Sequence, residues 1–328
     1  MNEAVLVLTN TEDGEHTDVV VSKLKKAGED VFRLDVDKLA SGEIKVLFSV
    51  DSTGTGFTLS SGSSLLNSKD IKSVWYRRPN HFNLKIKDPI QKSYTEHELT
   101  VFLDGLWSIV PRRVFWLSHP CSLEHARKKI YQLKLAQELG LLIPRTIITN
   151  DPGRVGEFYS SCHGKIVFKA IYHEFLNYGD KAFNIPTTLV TERHLAQIDL
   201  IKNLPALFQE FISKDYEMRI TVVGEKFFCI KIDSQNNPLT IVDWRNPLYI
   251  NRLSYSEIET PGWVKRACVG ILKRLNLSFG AFDFVVDKSG QTFFLEVNPN
   301  GQWYWLESLT GVLISDAIAD ILRSGGGD

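Results

Sequence analysis

Along the chain, short apolar runs alternate with stretches whose apolar residues recur at helical spacing, the pattern of an α/β protein. Ala4–Thr9 reads as a first buried strand. Val19, Val20, Leu24 and Ala27 then share one helix face, and Val31–Leu34 supplies the next strand. This opening predicts a small α/β domain with parallel pairing. Residues 44–60 read as a hairpin or a pair of edge strands, with the Ser/Gly/Thr-rich stretch Ser52–Ser64 supplying turns. Ile71–Tyr76 is a strand that delivers Trp75-Tyr76-Arg77-Arg78 to Pro79, and the proline holds the arginine pair at a strand end. Such a pair suits either an acidic partner or internal carboxylates that brace a domain interface, and charge alone leaves both open.

Leu99, Phe102, Leu103, Leu106 and Ile109 predict a helix over residues 94–109, and the region between Pro111 and Pro120 marks a first domain boundary. Leu123–Leu139 predicts a helix closed by Gly140, after which Pro144 leads into the strand Thr146–Thr149. Beyond Lys165 the pattern becomes sheet-like. Strands are expected at Ile166–Ala170, Thr187–Val190, Leu207–Ile212, Glu217–Val223 and Lys226–Ile232, with Gly224-Glu225 as a tight connection. Tyr172–Phe183, polar and glycine-containing, is expected to be mobile. A helix follows Pro261 to Leu275, and Phe279–Val286 and Gln291–Val297 form a hairpin around Asp287-Lys288-Ser289-Gly290. A last helix, Val312–Leu322, precedes a tail, Ser324–Asp328, expected to fray.

With 328 residues, 43% of them hydrophobic, the chain has material for two or three lobes. A net charge of -1 with both signs mixed argues against a nucleic-acid binder that works by neutralising phosphates. Cys121, Cys162, Cys229 and Cys268 lie far apart, which disfavours a zinc knuckle or disulfide framework and points to a reducing cytoplasm. The start, MNEAVLVLTN, reads as a strand rather than a signal peptide. No segment approaches the roughly 18 consecutive apolar residues of a membrane span.

The hairpin near the C-terminus carries the candidate chemistry. Residues two apart in a strand face the same way, so Glu296 and Asn298 project together and Asp283, across the turn, joins them. Phe282, Phe284, Leu295 and Val297 are then expected to point into the core. Magnesium takes hard oxygen ligands, commonly one or two carboxylates together with phosphate oxygens and water. A competing account has Asn298 bonding its own backbone before Pro299. Trp303 and Trp305 suit either the core or a cleft wall. Lys129, and Lys169 at the end of a short apolar strand, offer point charges for phosphate. Gln209-Glu210-Phe211-Ile212 sets polar groups beside apolar walls, as a nucleobase requires. There is no GxxxxGK[ST] loop and no opening GxGxxG, which disfavours a P-loop ATPase and a dinucleotide dehydrogenase.

Taken together, VWYRRP at 74–79, KKIYQLKLAQELGLLIPRTIITND at 128–151, VFKA at 167–170, QEFI at 209–212, YEMRITVVG at 216–224 and FDFVVDKSGQTFFLEVNPNGQWYWLE at 282–307 carry a family pattern. The chain resembles the ATP-grasp superfamily and, more closely, the ligases that macrocyclise graspetides, the microviridin ligases among them. The resemblance spans nearly the whole chain. It implies an α/β ATP-grasp fold with the nucleotide site between two sheets. An N-terminal pre-ATP-grasp domain would occupy residues 1–118, a central domain with a candidate lid 119–206, and a C-terminal ATP-grasp domain 207–328.

The same resemblance implies ATP and Mg2+ as cofactors. Lys129 and Lys169 would meet phosphate, Glu210, Phe211 and Ile212 the adenine, and Glu217 the ribose side of the pocket. Asp283, Glu296 and Asn298 would be the magnesium ligands. Arg219, Lys231 and Arg245 are candidates to hold the transferred phosphate or the acyl intermediate, with salt-bridge roles as the alternative. His173–Lys181 departs from the pattern, because Gly179 is its single glycine. The implied partner is a ribosomally made precursor peptide with a helical leader and a core containing acidic, Thr and Ser residues; the implied assembly is a homodimer. The implied chemistry activates an Asp or Glu side chain as an acyl phosphate and closes an ester to a Thr or Ser hydroxyl. Amide formation with Lys, addition of amino acids to a peptide or protein, and a non-catalytic peptide-binding module are the alternatives.

Overall fold

The computed structural model describes residues 3–326 other than 53, 80–81, 173–175, 179–180, 184 and 247. The N-terminal part runs β1 (Ala4–Thr9), α1 (Gly14–Lys26), β2 (Val31–Asp35), α2 (Val36–Ala40), β3 (Ile44–Asp51), β4 (Gly54–Ser61), β5 (Ser64–Asn67), β6 (Ile71–Tyr76), α3 (Pro89–Ser108) and β7 (Phe115–Leu117). β2, β1, β6 and β7 form a parallel sheet in that order, as the strand–helix–strand opening predicts. The stretch over residues 44–60 is two strands of a separate three-stranded antiparallel sheet, β3–β4–β5. One face of the parallel sheet, with Leu6, Leu8 and Val74, packs on α3; the other, with Val5, Val7 and Trp75, joins a core shared with the C-terminal part.

The middle of the chain runs α4 (Pro120–Ala126), α5 (Lys129–Glu138), β8 (Thr146–Thr149), α6 (Pro152–Ser161), β9 (Ile166–Lys169), β10 (Leu176–Tyr178), β11 (Lys181–Phe183), β12 (Thr188–Leu189), α7 (Glu192–Leu195) and β13 (Ala206–Glu210). The single helix expected over 123–139 is thus two helices, divided at Arg127-Lys128, and the break places Lys129 at the start of α5. β12, β9, β13 and β8 form one four-stranded sheet. β13 pairs with both β8 and β9, so the expected division at 206/207 falls inside a strand of the central sheet. Leu123, Ala126, Leu135 and Ala136 of α4 and α5 pack on the C-terminal sheet instead of the central one. Of the candidate lid, residues 173–175 and 179–180 lie outside the described residues, and β10 pairs with β11 antiparallel between and beyond them.

The C-terminal part contains β14 (Lys214–Val223), β15 (Lys226–Ile232), β16 (Tyr255–Glu257), α8 (Gly262–Leu275), β17 (Phe279–Asp287), β18 (Thr292–Asn298), α9 (Tyr304–Thr310) and α10 (Ile314–Ser324). The five strands order as β16–β15–β14–β17–β18, all antiparallel. Gly224, at φ +56, makes the β14–β15 turn in the left-handed region where a side chain is strained. Met218, Ile220, Val222, Phe282 and Phe284 alternate onto the face covered by α5 and α8, and their neighbours Glu217, Arg219 and Asp283 take the other face. No helix among the described residues is long and apolar enough to cross a membrane.

Candidate active site

The cleft lies between the central sheet and the C-terminal sheet. About 650 Å³ of space, open to solvent, is lined on one side by Val167, Lys169, Gln209, Glu210, Phe211 and Ile212, and on the other by Glu217, Asp283, Val285, Leu295 and Glu296. Asp243, Trp244 and Arg245, from the loop after β15, close one wall.

Strand register brings the acidic groups together. β14 and β17 pair Arg219 with Asp283, and β17 and β18 pair Asp283 with Glu296 and Ala281 with Asn298. Both Asp283 oxygens accept from Arg219 Nη1, at 2.8 and 2.9 Å. Glu296 lies 3.1 Å from Lys129 Nζ and 3.6 Å from Arg245 Nη1. Asn298 is exposed, and its Oδ1 accepts from the backbone N–H of Asn300 at 3.1 Å, so the local turn exists alongside the carboxylates. Leu295 corrects the expected alternation. The register skips it between the Asp283–Glu296 and Phe284–Phe294 pairs, and this bulge turns Leu295 to the cleft beside Glu296.

Cations surround these acids. Lys129 Nζ also donates to the carbonyl of Ala170 at 2.9 Å, which ties α5 to the end of β9. Lys169 Nζ donates to Gln209 Oε1 at 2.7 Å. Burial pulls the Lys169 ammonium down to about 8; Glu296 opposes the shift, and Lys129, Arg245 and Lys214 add to it. Arg245 forks onto Asp243, with Nε–Oδ1 at 2.9 Å and Nη2–Oδ2 at 3.1 Å. Burial alone would lower Arg245 and raise Asp243. Their pairing reverses both, leaving Arg245 raised and Asp243 pulled down to about 2. Glu217 is buried and pushed up by desolvation, with Lys214 Nζ at 2.7 Å opposing the shift. A register shift between Lys214 and Tyr216 is what lets residues 214 and 217 reach the same side.

Lys231 does not join this group. It pairs with Met218 in the β14–β15 ladder and therefore takes the face opposite Arg219 and Asp283; its ammonium sits over the Tyr216 ring and 2.9 Å from Asp233. A role for Lys231 at the transferred phosphate is incompatible with that face. Trp303 is buried in the core shared with the N-terminal sheet, whereas Trp305 packs on the cleft-wall Trp244 with ring centres 5.2 Å apart. The arginine pair resolves too: Arg77 is buried on Asp13, the bracing role.

Several lining residues have no signal in the sequence pattern. Lys214 is the first residue of β14, Asp243 and Trp244 lie in the loop after β15, and Gln132, behind the lining, looks like one polar position among many on α5. Its side chain is buried, donating to Ala126 O and Val297 O at 2.6 and 2.8 Å and accepting from Val297 N at 2.9 Å. That double bond to β18 fixes the strand between Glu296 and Asn298.

Among the described residues no cluster of three or more His, Cys, Asp or Glu side chains is placed to hold a metal. The Asp283–Glu296–Asn298 set, with two carboxylates and an amide, fits magnesium shared with phosphate oxygens rather than a closed protein cage. Two further observations fit a bound anion with its cation. The carboxylates already draw in three cationic side chains, and the buried Arg219 Nε has no hydrogen-bond partner among the described residues.

A model of the MvdD pre-ATP-grasp domain matches residues 4–122. A comparison with curated proteins returned no match. Among solved structures, a Chryseobacterium gregarium RiPP-associated ATP-grasp ligase in complex with ADP and a leader and core peptide aligns at a TM-score of 0.90. Its identity is 28%, over 99% of this chain and 97% of that one. The macrocyclase MdnC of Microcystis aeruginosa MRC, bound with precursor peptide MdnA, aligns at 0.87 with 30% identity over 98% of this chain and 99% of that one. MdnB of the same organism aligns at 0.81 with 28% identity over 98% and 99%. With its acidic strands, its basic cleft and likeness along its whole length to such enzymes, this chain belongs to the microviridin-type macrocyclases of the ATP-grasp superfamily.

Proposed function

We propose that the cleft binds ATP with magnesium and activates acidic side chains of a ribosomally made precursor peptide, each of which is then closed onto a Thr or Ser hydroxyl of the same peptide as an ester. The observation that carries this reading is the interleaving of charge. Asp283 and Glu296 are paired on their own side with Arg219, Lys129 and Arg245 and face Lys169 of the central sheet across the cleft, so an anion and its cation can be taken up together. Asp283, Glu296 and Asn298 would hold magnesium, which supplies charge neutralisation at the phosphates.

Phe211, Ile212, Val167 and Leu295 offer apolar walls for the base, with Glu210 and Glu217 beside them. Lys129 and Lys169 neutralise the phosphates, and Lys169, at about 8, keeps its proton at neutral pH. Arg245, on the cleft wall, would meet the charge that grows on the transferring phosphoryl group through its remaining donors, and Arg219, held on Asp283 behind the lining, would add positive charge from the platform. The substrate carboxylate attacks the γ-phosphorus and ADP leaves. In the resulting acyl phosphate the hydroxyl oxygen attacks the carbonyl carbon and gives up its proton, the bond from that carbon to the phosphate oxygen breaks, and inorganic phosphate leaves with the electron pair. Holding acid and alcohol in one bound peptide replaces a bimolecular encounter. None of the four free cysteines is required as a nucleophile, and their reduced state fits a cytoplasmic setting. A homodimer remains the expected assembly, to be measured by light scattering.

Incubation with a candidate precursor, ATP and magnesium tests the proposal. The peptide loses the mass of one water per ring, and mild alkali reverses each loss by opening an ester. A loss that survives alkali identifies side-chain amides with Lys. A gain equal to an amino-acid residue overturns cyclisation in favour of amino-acid addition.

A further inference from the structure

The strand-end arginine that follows β6 lies far in sequence from the candidate magnesium ligands, yet it is bonded to their loop. Arg77 is 1% exposed. Its Nε and Nη2 fork onto Asp13 at 2.8 and 3.2 Å. Its Nη1 donates to Asn300 O at 3.1 Å, Asn300 Oδ1 at 3.2 Å and Gly301 O at 3.1 Å. Asn300, itself buried, returns a bond from Nδ2 to Tyr76 O at 3.2 Å. Its backbone N–H is the group that donates to Asn298 Oδ1. Behind Asp13 stands Asn10, which caps the turn holding Asp13 and donates to Arg78 O at 2.8 Å. Arg78 adds a donor to Asn300 O at 3.3 Å.

We infer that Arg77 and Asn300 are positioning residues for the nucleotide-bound magnesium: they hold the Asn298 amide oxygen in place from the N-terminal sheet. This inference rests on the reading of Asn298 as a magnesium ligand. Three features distinguish the arrangement from a generic brace between domains. Asn298 is the exposed member of the ligand set, and it lacks the arginine bond that fixes the rotamer of Asp283. An amide oxygen has two lone pairs, and the bond from Asn300 occupies one while leaving the other for a cation. The loop is also pressed tight. A side chain at Gly301 would put Cβ 2.8 Å from both Ala281 Cβ and Arg219 Nη2, so a shift of the loop moves Arg219 as well. An arginine suits the task because its planar fork serves a carboxylate and several carbonyls at once, which a lysine ammonium cannot do.

The test uses the full chain and three variants: Asn298→Ala as the ligand control, Asn300→Ala, and Arg77→Lys. Magnesium is titrated against the ADP-bound protein by calorimetry, and the rate of ADP release from ATP is followed over the same magnesium range. Asn300→Ala and Arg77→Lys are expected to raise the magnesium concentration at half-saturation by about tenfold, the scale of an outer partner to a metal ligand. Excess magnesium should then restore most of the rate, and circular dichroism should match the parent. If Asn298→Ala shifts the midpoint while both other variants leave it in place, the positioning role is overturned and the metal reading stands. If Asn300→Ala lowers the rate at every magnesium concentration with an unchanged midpoint, its part is structural and the inference fails. If Asn298→Ala itself leaves the midpoint unmoved, the metal reading fails and takes the inference with it.

Discussion

The two sheets that meet at the cleft differ in what stands behind them. The C-terminal sheet is packed on both faces. Met218, Ile220, Phe282 and Phe284 meet α5 and α8 on one side, and Val223, Ile230 and Ala281 meet α10 and the N-terminal sheet on the other. The central sheet has one small core, in which Ile166, Ala206 and Phe208 pack on Val155 and Phe158 of α6 and on Cys162 just after it. Its second face carries Val167, Lys169 and Gln209 into the cleft. The carboxylates therefore sit on the deeply packed platform, and Lys169 with the Glu210–Ile212 segment sits on the thinner one. Charges that hold a cation need fixed spacing, whereas a side that admits and releases nucleotide must give way. On the proposed assignment of the site residues, burial divides the two tasks.

The largest effect expected from that contrast is local unfolding. Phe158→Ala removes an aromatic ring from the smallest core and should destabilise the central sheet by about 3–5 kcal/mol. Hydrogen exchange would then quicken in β9 and β13 while β14 and β17 keep their protection. Equal loss of protection in both sheets would show that they unfold as one unit and break the contrast. Next in size is Glu296→Gln, expected to lower turnover by about 10²–10³-fold with the melting temperature near that of the parent. Asp283→Asn should cost similar turnover but also some stability, because it takes the carboxylate from the buried Arg219. Parent-like turnover in both variants would remove the platform from the chemistry.

How much of this was legible in sequence follows the same division. On the packed platform, period-two alternation on β14 and β17 gives the faces of Glu217, Arg219 and Asp283, and the Asp-Lys-Ser-Gly turn gives their hairpin partner. Alternation fails where a ladder slips. Leu295 turns to the cleft at one bulge and Lys214 reaches Glu217 past another, and neither slip leaves a mark in the order of residues. Lys231 fails differently. Its face depends on pairing with Met218, a register that the sequence of β15 alone does not supply. Asp243 and Trp244 belong to a loop with no period at all, so their place on the cleft wall depends on tertiary packing. Arg77 was visible as a strand-end arginine, but its choice between an outside acid and Asp13 is a three-dimensional fact.

Smaller effects belong to the thin side of the cleft. Lys169→Met should weaken ADP binding by about tenfold, the worth of one charge-assisted contact, and leave the carboxylates in place. The smallest effect is a pH dependence whose sign is diagnostic. Burial holds the Lys169 ammonium at about 8 in the protein, below its ordinary value of 10.5. A phosphate beside it favours the charged form, so nucleotide binding takes up a proton above that pH. Affinity should hold below about pH 7.5 and then fall, by at most about tenfold per unit. Stability without nucleotide moves in the other direction. A depressed lysine costs the fold while it is charged, and that cost relaxes as pH rises from 8 toward 10.5. The lysine's own contribution thus makes the empty protein steadier over the range in which it binds ADP less well. Calorimetric affinities and melting curves across that range, compared with those of Lys169→Met, isolate the one group. An affinity that stays flat for the parent, or that falls equally in the variant, would take Lys169 away from the phosphates and leave the positive charge of the cleft to Lys129, Arg219 and Arg245 on the platform's side.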